Sequence, residues 1–445
     1  MNGKATKIEW RRFDTPQMRA FHMSWFAFFL CFFAWFGVAP LMATIREELA
    51  LTPDQIGWSI IASVAITVVA RLGIGWLCDR IGPRLCYTGL LAFGSIPVMA
   101  IGLAHDFESF LVCRLLIGAI GASFVITQVH TAAMFAPNCV GTANATTAGW
   151  GNLGGGITQI AMPALFTVFV SLAGVSAAAG WRLCMVVAGA ACLTASVAYF
   201  VLTQDTPEGN LSALRASRIP GRAAVARGGF ADALRDRRVW ILFALYGACF
   251  GVELTLHNVA SLYFLDNFDE FAGMSRVRAI GTAGTIAGLF GTMALFARTL
   301  GGLAADRVGQ RLGLAGRVRV LFAVLLGEGL MLIVFSRMTE LPFAVAALIG
   351  FGIFVHMSAG ATFAIVPFVR REAVGAVAGI VGAGGNVGAV AAGFLFKEMA
   401  DWSQALFVLG LAVAALSVAA LGIRFPVAVE AEVRAEAASL LGRAA

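Results

Sequence analysis

"VVARLGIGWLCDRIGPR", residues 68–84, sets an arginine inside an apolar run. From Gln55 to Ala70 no side chain is charged, and the apolar character continues past Arg71 through Leu77. Asp79 and Arg80 follow, then the turn signal Gly82-Pro83. A membrane span needs about 20 mostly apolar residues. This stretch qualifies, so Arg71 is a cation placed in hydrocarbon and its partner becomes the question.

The whole chain has the same character. Of its 445 residues 59% are hydrophobic and only 13% charged, against roughly 25% charged in a soluble domain; the mean hydropathy is +0.85. Apolar segments run at 21–45, 55–77, 84–104, 108–135, 142–171 and 181–203, then at 239–265, 279–304, 318–336, 342–369, 374–397 and 402–424. The prediction is an all-α integral membrane protein of twelve transmembrane helices, with lipid as its surroundings. Residues 1–204 form an N-terminal six-helix bundle, 205–238 a cytoplasmic linker, 239–425 a C-terminal six-helix bundle and 426–445 a cytoplasmic tail.

Several function classes fall away. The eight cysteines form no CxxC pair and the five histidines are dispersed, so no disulfide framework, metal site or cofactor is expected. No nucleophile–base set marks an enzyme. The net charge of +7 lies in loops and does not mark a nucleic-acid surface. The apolar run after Arg19 is too long for a signal-peptide core and reads as a retained first span.

Positive charge in short loops fixes orientation. The amino-terminal tail, Arg80 and Arg84, the seven arginines from Arg215 to Arg238, and Arg307, Arg311, Arg317 and Arg319 are basic clusters. Alternate loops carry Glu47, Glu48 and Asp54, then Asp106 and Glu108, then Asp266, Asp269 and Glu270. Both termini are therefore expected in the cytoplasm.

The halves repeat. "ARLGIGWLCDRIGPRL" (70–85) matches "ARTLGGLAADRVGQRL" (297–312) at eight of sixteen positions, and "GNLG" (151–154) matches "GNVG" (385–388). Duplicated six-span halves are a transporter architecture with the binding site near the bilayer midplane. Arg71 and Arg298 each precede an aspartate by eight residues, which sets them roughly 12 Å inside the helix end. A lone charge at that depth costs at least ~2.5 kcal/mol.

One buried arginine is most simply a structural ion pair. Two at equivalent depth, with Glu253 and Glu328 as the main acids at their level, point to an anion gripped by both. Glu328 is the weaker counter-ion candidate because the ninth span is usually peripheral in such folds. Guanidinium is planar and forks toward paired oxygens, which suits a flat oxyanion. Asn152, Phe124, Tyr246 and Phe250 fall at the same depth. Aromatic faces suit a planar ion, while the amide and phenol offer hydrogen bonds. For the two phenylalanines, among 35, ordinary packing is the plain alternative.

"GWGNLG" (149–154) fits a dinucleotide fingerprint only in letters, since no strand precedes it. Its glycines instead provide surfaces for close helix approach.

The loop segments "GIGWLCDRIGPR" and "GGLAADRVGQR" resemble the cytoplasmic loop motif of the major facilitator superfamily. "AGWGNLGGG" (148–156) and "GAGGNVGA" (382–389) resemble the paired nitrate signatures of its nitrate/nitrite porter family, as do "GASF" (121–124) and "LYGACFGVELT" (245–255). The resemblance covers essentially the whole chain. It implies that Arg71 and Arg298 hold nitrate, that Asn152, Tyr246 and the equivalent Asn386 belong to the binding site, and that Phe124 and Phe250 pack on the ion's faces. It further implies that Gly149, Gly151, Gly154, Gly384, Gly385 and Gly388 let helices bend and slide. "CFGVELTLHN" is similar to the proton-coupled uptake branch. His257, just before Asn258, departs from the pattern.

The expectation is a monomeric transporter in a bacterial inner membrane, importing nitrate with protons by alternating access. Glu253 is the proton-coupling candidate, with a fixed counter-ion to an arginine as its equal alternative; His130, His257 and His356 are weaker ones. Asp79, Arg80, Arg84, Asp306, Arg307 and Arg311 are gate candidates, or simply topology signals. For Arg114, in span 4, a structural and a proton-coupling role stand side by side. The rivals are nitrate/nitrite exchange, carriage of another anion such as nitrite, and a non-transporting nitrate sensor.

Overall fold

Helix starts are written where the apolar runs begin. Thr15 accepts a hydrogen bond from the Met18 amide with Pro16 at the first helical position. Thr52 and Gln55 form a reciprocal capping box ahead of Pro53. Asp106, Ser176 and Asp401 cap three further helices in the same way. Such caps satisfy amides that lipid cannot.

The computed structural model describes residues 3–135, 140–216, 229–370, 374–427 and 429–431. Within them lie 12 helical segments long and apolar enough to cross a membrane. The first six are Pro16–Glu48, Pro53–Gly75, Pro83–Leu103, Phe107–Met134, Thr146–Leu172 and Ala177–Leu202. The second six are Arg237–Asn267, Arg276–Gly309, Leu314–Ser336, Leu341–Phe363, Ala376–Glu398 and Trp402–Gly422. Among the described residues, β structure is limited to isolated bridges.

The repeated spans are not copies in detail. The second span belongs to one continuous helix, Pro53–Ile81. The eighth is interrupted: Arg276–Thr292 ends in a 3-10 turn, and a new helix, Ala297–Leu312, starts one residue before Arg298. The turn closing the loop motif also differs. Gly82 (φ 90°) follows the second span, and Gly313 (φ 69°) follows the eighth, four residues beyond Gly309, which aligns with Gly82. Both torsions favour glycine.

Packing divides the chain into two compact units, 1–222 with 256–294, and 223–255 with 295–445. The first unit therefore includes the acidic-loop ends of the seventh and eighth spans. There Arg46 pairs with Asp266 at 2.5 Å and Arg276 with Glu47 at 2.9 Å. The amino-terminal tail is also part of this unit. The Ala5 amide donates to Met134 O, Lys4 Nζ donates to Ala132 O, and Trp10 lies against Trp150 with ring centroids 5.6 Å apart. At the basic-loop end, buried Asp205 accepts from the Arg84 and Leu211 amides, each at 2.9 Å.

In the second unit, Asp236 receives two hydrogen bonds from the Arg238 guanidinium and has Arg370 at 3.5 Å. Burial opposes its ionisation. The side-chain and backbone hydrogen bonds of Arg238 and the charges of both arginines outweigh that and hold it below the usual carboxylate range.

The signature glycines serve backbone contact. A Cβ on Gly154 would overlap Phe29 O of the first span, and one on Gly384 would overlap Phe243 O of the seventh. Gly388 lies against Gly247 in the same way. Without a hydrophobic drive between helices in lipid, such approach supplies the packing.

Two predictions follow from this packing. Gly154→Ala and Gly384→Ala are each expected to lower the thermal midpoint in detergent, at an overpacking cost of about 1–3 kcal/mol. Gly149→Ala, whose nearest neighbour is Ala294 O at 3.8 Å, is expected to match the wild type. Asp236→Asn is expected to lower the midpoint at neutral pH. Because the native carboxyl titrates low, its stabilisation is present above the ordinary carboxylate pKa and fades as pH falls through the depressed one, so the two melting curves converge in acid.

Candidate functional site

In the first unit the site residues are arranged around Arg71. Thr67, one turn earlier, donates to Gly118 O at 2.6 Å and ties the second span to the fourth. The fourth span changes from α-helix to a 3-10 turn at Ala119–Ala122 and resumes at Ser123, which precedes Phe124. Arg71 is 7% exposed, and its guanidinium carbon lies 5.5 Å from the centre of the Phe124 ring. That ring is 5.9 Å from Phe28, and Phe28 occupies the space where a Cβ on Gly151 would stand. Asn152, the next residue, is buried.

The second unit repeats the arrangement with one addition. Arg298 lies with its guanidinium carbon 5.6 Å from the centre of Phe250. Phe250 stacks on Tyr246 at 5.1 Å with ring planes 9° apart, and Tyr246 meets Phe363 edge-on. Gly385 leaves room for both Phe250 and Tyr246. Asn386 is fully buried, and neither amide atom has a hydrogen-bond partner among the described residues. A cation over an aromatic face gains about 2 kcal/mol when desolvated.

The addition is an acid. Arg298 donates to Glu253 Oε2 at 2.7 Å, and His356 Nδ1 is 3.5 Å from the same oxygen. Glu253 is thus seated against Arg298, as its counter-ion alternative requires. The physical reason lies in the fold: Glu253 is three residues beyond Phe250 on the seventh span, so the helical turn that presents the ring also presents the carboxylate. His356 joins from the tenth span, whose backbone is brought close by glycine. A Cβ on Gly301 would strike Met357 O, and one on Gly360 would strike Arg298 O.

The other histidines are placed differently. His130 is hydrogen-bonded through both ring nitrogens, to the Tyr199 hydroxyl at 2.5 Å and Gln204 O at 2.8 Å. His257 fills a pocket of the first unit left by Gly155 and Gly291, against Phe36 and Phe290. Its carbonyl accepts from Gln159 at 2.7 Å. Arg114, fully buried, donates to Asn258 Oδ1 at 2.7 Å. Among the described residues no cluster of three metal-ligating side chains occurs.

Of the gate candidates, Arg84 is engaged inside the first unit, donating to Phe200 O at 2.6 and 2.9 Å. Arg80, Arg307 and Arg311 are exposed. The side chains of Asp79 and Asp306 lie outside the described residues. Asp205, which sequence reading left in the linker, is the acid that holds the turn after the second span. Its only signal was an aspartate next to the end of an apolar run.

Comparison with known proteins bears on this architecture. The sequence pattern of the Major Facilitator Superfamily matches residues 24–393. The chain belongs to that superfamily. It is 36% identical over 401 residues to the "High affinity nitrate transporter 2.5" of Arabidopsis thaliana, covering 90% of this chain and 78% of that one. Against "High-affinity nitrate transporter 2.3" of Oryza sativa the identity is 36%, covering 95% and 81%. Against the "Nitrate/nitrite transporter NrtP" of Nostoc punctiforme it is 30%, covering 84% and 86%.

Among solved structures, an inward-facing bacterial homolog of the human lysosomal transporter Spinster matches with a TM-score of 0.66 at 15% identity, covering 92% and 96%. The nucleoside transporter NupG matches at 0.64 and 15%, covering 91% and 99%. These two show the fold alone. This superfamily member is a multi-pass membrane transporter and not an enzyme.

Glu253→Gln keeps the shape but removes the charge beside Arg298. Breaking a buried pair costs about 3–5 kcal/mol, so the variant is expected to melt well below the wild type. A small oxyanion that takes the carboxylate's place is expected to restore part of the loss. Melting with and without added sodium nitrate, against sodium chloride, reads both effects.

Proposed function

We propose that this protein imports nitrate by proton symport across a bacterial inner membrane, through alternating access, with both termini in the cytoplasm. The observation that carries the reading is the repeated pairing of an arginine with a phenylalanine ring, buried Arg71 with Phe124 and largely covered Arg298 with Phe250. Chain-long similarity to proteins named as nitrate transporters supports the choice of anion.

Nitrate is flat, monovalent and rich in acceptors. A guanidinium offers it two parallel N–H groups, an aromatic face accepts its plane, and the buried amide of Asn386 offers a donor. Arg71 and Arg298 are its cationic ligands, with Asn152, Tyr246 and Asn386 as hydrogen-bonding groups. Glycine-lined contacts of the fifth and eleventh spans let those helices shift without breaking side-chain packing.

Glu253 couples the proton to the anion. While ionised it occupies Arg298; once protonated it releases the guanidinium to nitrate. Binding of the anion and of the proton therefore favour one another, and the coupling is reciprocal. Moving a monovalent anion into a negative interior costs ~2.3 kcal/mol per charge per 100 mV. Two protons per nitrate reverse the sign of the charge moved.

Proteoliposomes without internal nitrite provide the test. Added nitrate is expected to drive labelled uptake with proton influx and inward current, increasing as the outer face is acidified. A strict exchanger gives neither current nor pH change. Arg71→Lys and Arg298→Lys retain charge but lose the fork, and each is expected to reduce uptake about tenfold or more. Near-normal transport by both variants overturns the shared-anion reading.

A further inference from the structure

The ninth span holds an acid that the proposed mechanism has not used. Glu328 lies fourteen residues into Leu314–Ser336, roughly 21 Å from that helix start, and is fully buried. Neither carboxyl oxygen has a hydrogen-bond partner among the described residues. Its flanking glycines press the helix into its neighbours. A Cβ on Gly329 would overlap the Ala414 backbone of the twelfth span, and one on Gly327 would overlap the Phe354 ring of the tenth. Such contact leaves the carboxyl enclosed in a seam between helices.

The groups facing it come from several helices. The seventh span contributes Cys249 and Glu253, both within electrostatic reach. Arg298 of the eighth is bonded to Glu253. The tenth contributes Ser358 beside the carboxyl and, two residues earlier, His356, which is directed at Glu253. The twelfth has no ionisable side chain between Trp402 and Ser417. Phe354 O, 2.8 Å from the Ser358 hydroxyl, competes with Glu328 for that proton, and Glu253 is a second acid within electrostatic reach. In so enclosed a place beside another acid, a neutral carboxyl costs less than a carboxylate. An ionised group buried without a partner is among the costliest in a protein.

We propose that Glu328 is the second proton-binding site of the symport, loaded as a neutral acid while its seam is dry and released when that seam is wetted. This rests on the symport reading above. Glu253 binds the proton that frees Arg298 for the anion; Glu328 binds one that is independent of the anion. On release the O–H bond of Glu328 breaks, the proton passes to water on the inner side and the carboxylate remains. It is reprotonated from water on the outer side before the seam dries again. Two acids then account for two protons, and the nitrate cycle moves one net positive charge inward.

Glu328→Gln mimics the neutral acid but carries no exchangeable proton. In voltage-clamped vesicles the wild type is expected to show nitrate-evoked inward current. The variant is expected to retain labelled nitrate uptake that still increases with external acidity, while current per nitrate falls at least tenfold, because one proton now balances one anion. A current-to-nitrate ratio equal to wild type overturns the proposal and makes Glu328 a packing residue. If Glu328→Gln takes up no nitrate, Glu328→Asp decides. Recovery of uptake and current by aspartate supports a proton-bearing carboxyl; failure of both overturns it. Absence of nitrate-evoked proton influx in the wild type overturns the symport reading first, and this proposal with it.

Discussion

A guanidinium inside a membrane protein has no water to turn to, and the rest of this structure is arranged around that constraint. Arg298 meets it with a carboxylate at 2.7 Å and an aromatic ring beneath. Arg71 is set over Phe124 in a buried position on an unbroken helix. The local solutions differ although the surrounding sequence repeats. The helix carrying Arg298 restarts one residue before it, so the second arginine stands at a helix beginning, where backbone geometry permits a different approach.

Holding polar groups at that depth demands tight walls, and glycine provides them. Where Gly154 meets Phe29 and Gly384 meets Phe243, the contact is backbone on backbone. Such seams bury little side-chain surface and let helices pack closely. The same principle makes room for the His257 ring between Gly155 and Gly291. A bulky apolar residue at these points would satisfy hydropathy equally well and close the seam. Composition is therefore a poor guide to what these glycines do.

The second unit concentrates ionisable groups: Glu253 in contact with both Arg298 and His356, with Cys249 and Glu328 close by. In a low-dielectric interior these groups are coupled, since moving a proton on one changes the electrostatic cost of charge on the next. The first unit carries Arg114 on a neutral partner, Asn258, and His130 in a closed hydrogen-bond network. Ionisable groups inside the second unit thus face one another, whereas Arg114 and His130 of the first are held by neutral partners.

Much of this was legible in the chain. Twenty-residue apolar runs dictate helices because lipid leaves backbone groups no other partner. The spacing of Arg71 and Arg298 from their aspartates sets depth, since helical rise is fixed, and it placed Phe124 and Phe250 at that level as faces for a flat ion or as ordinary packing; their position beside the arginines came from the structure. Partners remote in sequence were not legible. Glu253 and His356 come from different spans, and which of two candidate roles Glu253 takes depends on how far apart two helices stand. The break before Arg298 was equally hidden, because "GTMALFAR" remains apolar whether or not the helix continues. Hydropathy and periodicity report what one helix demands of its surroundings; only the packing of several decides which side chains meet that demand.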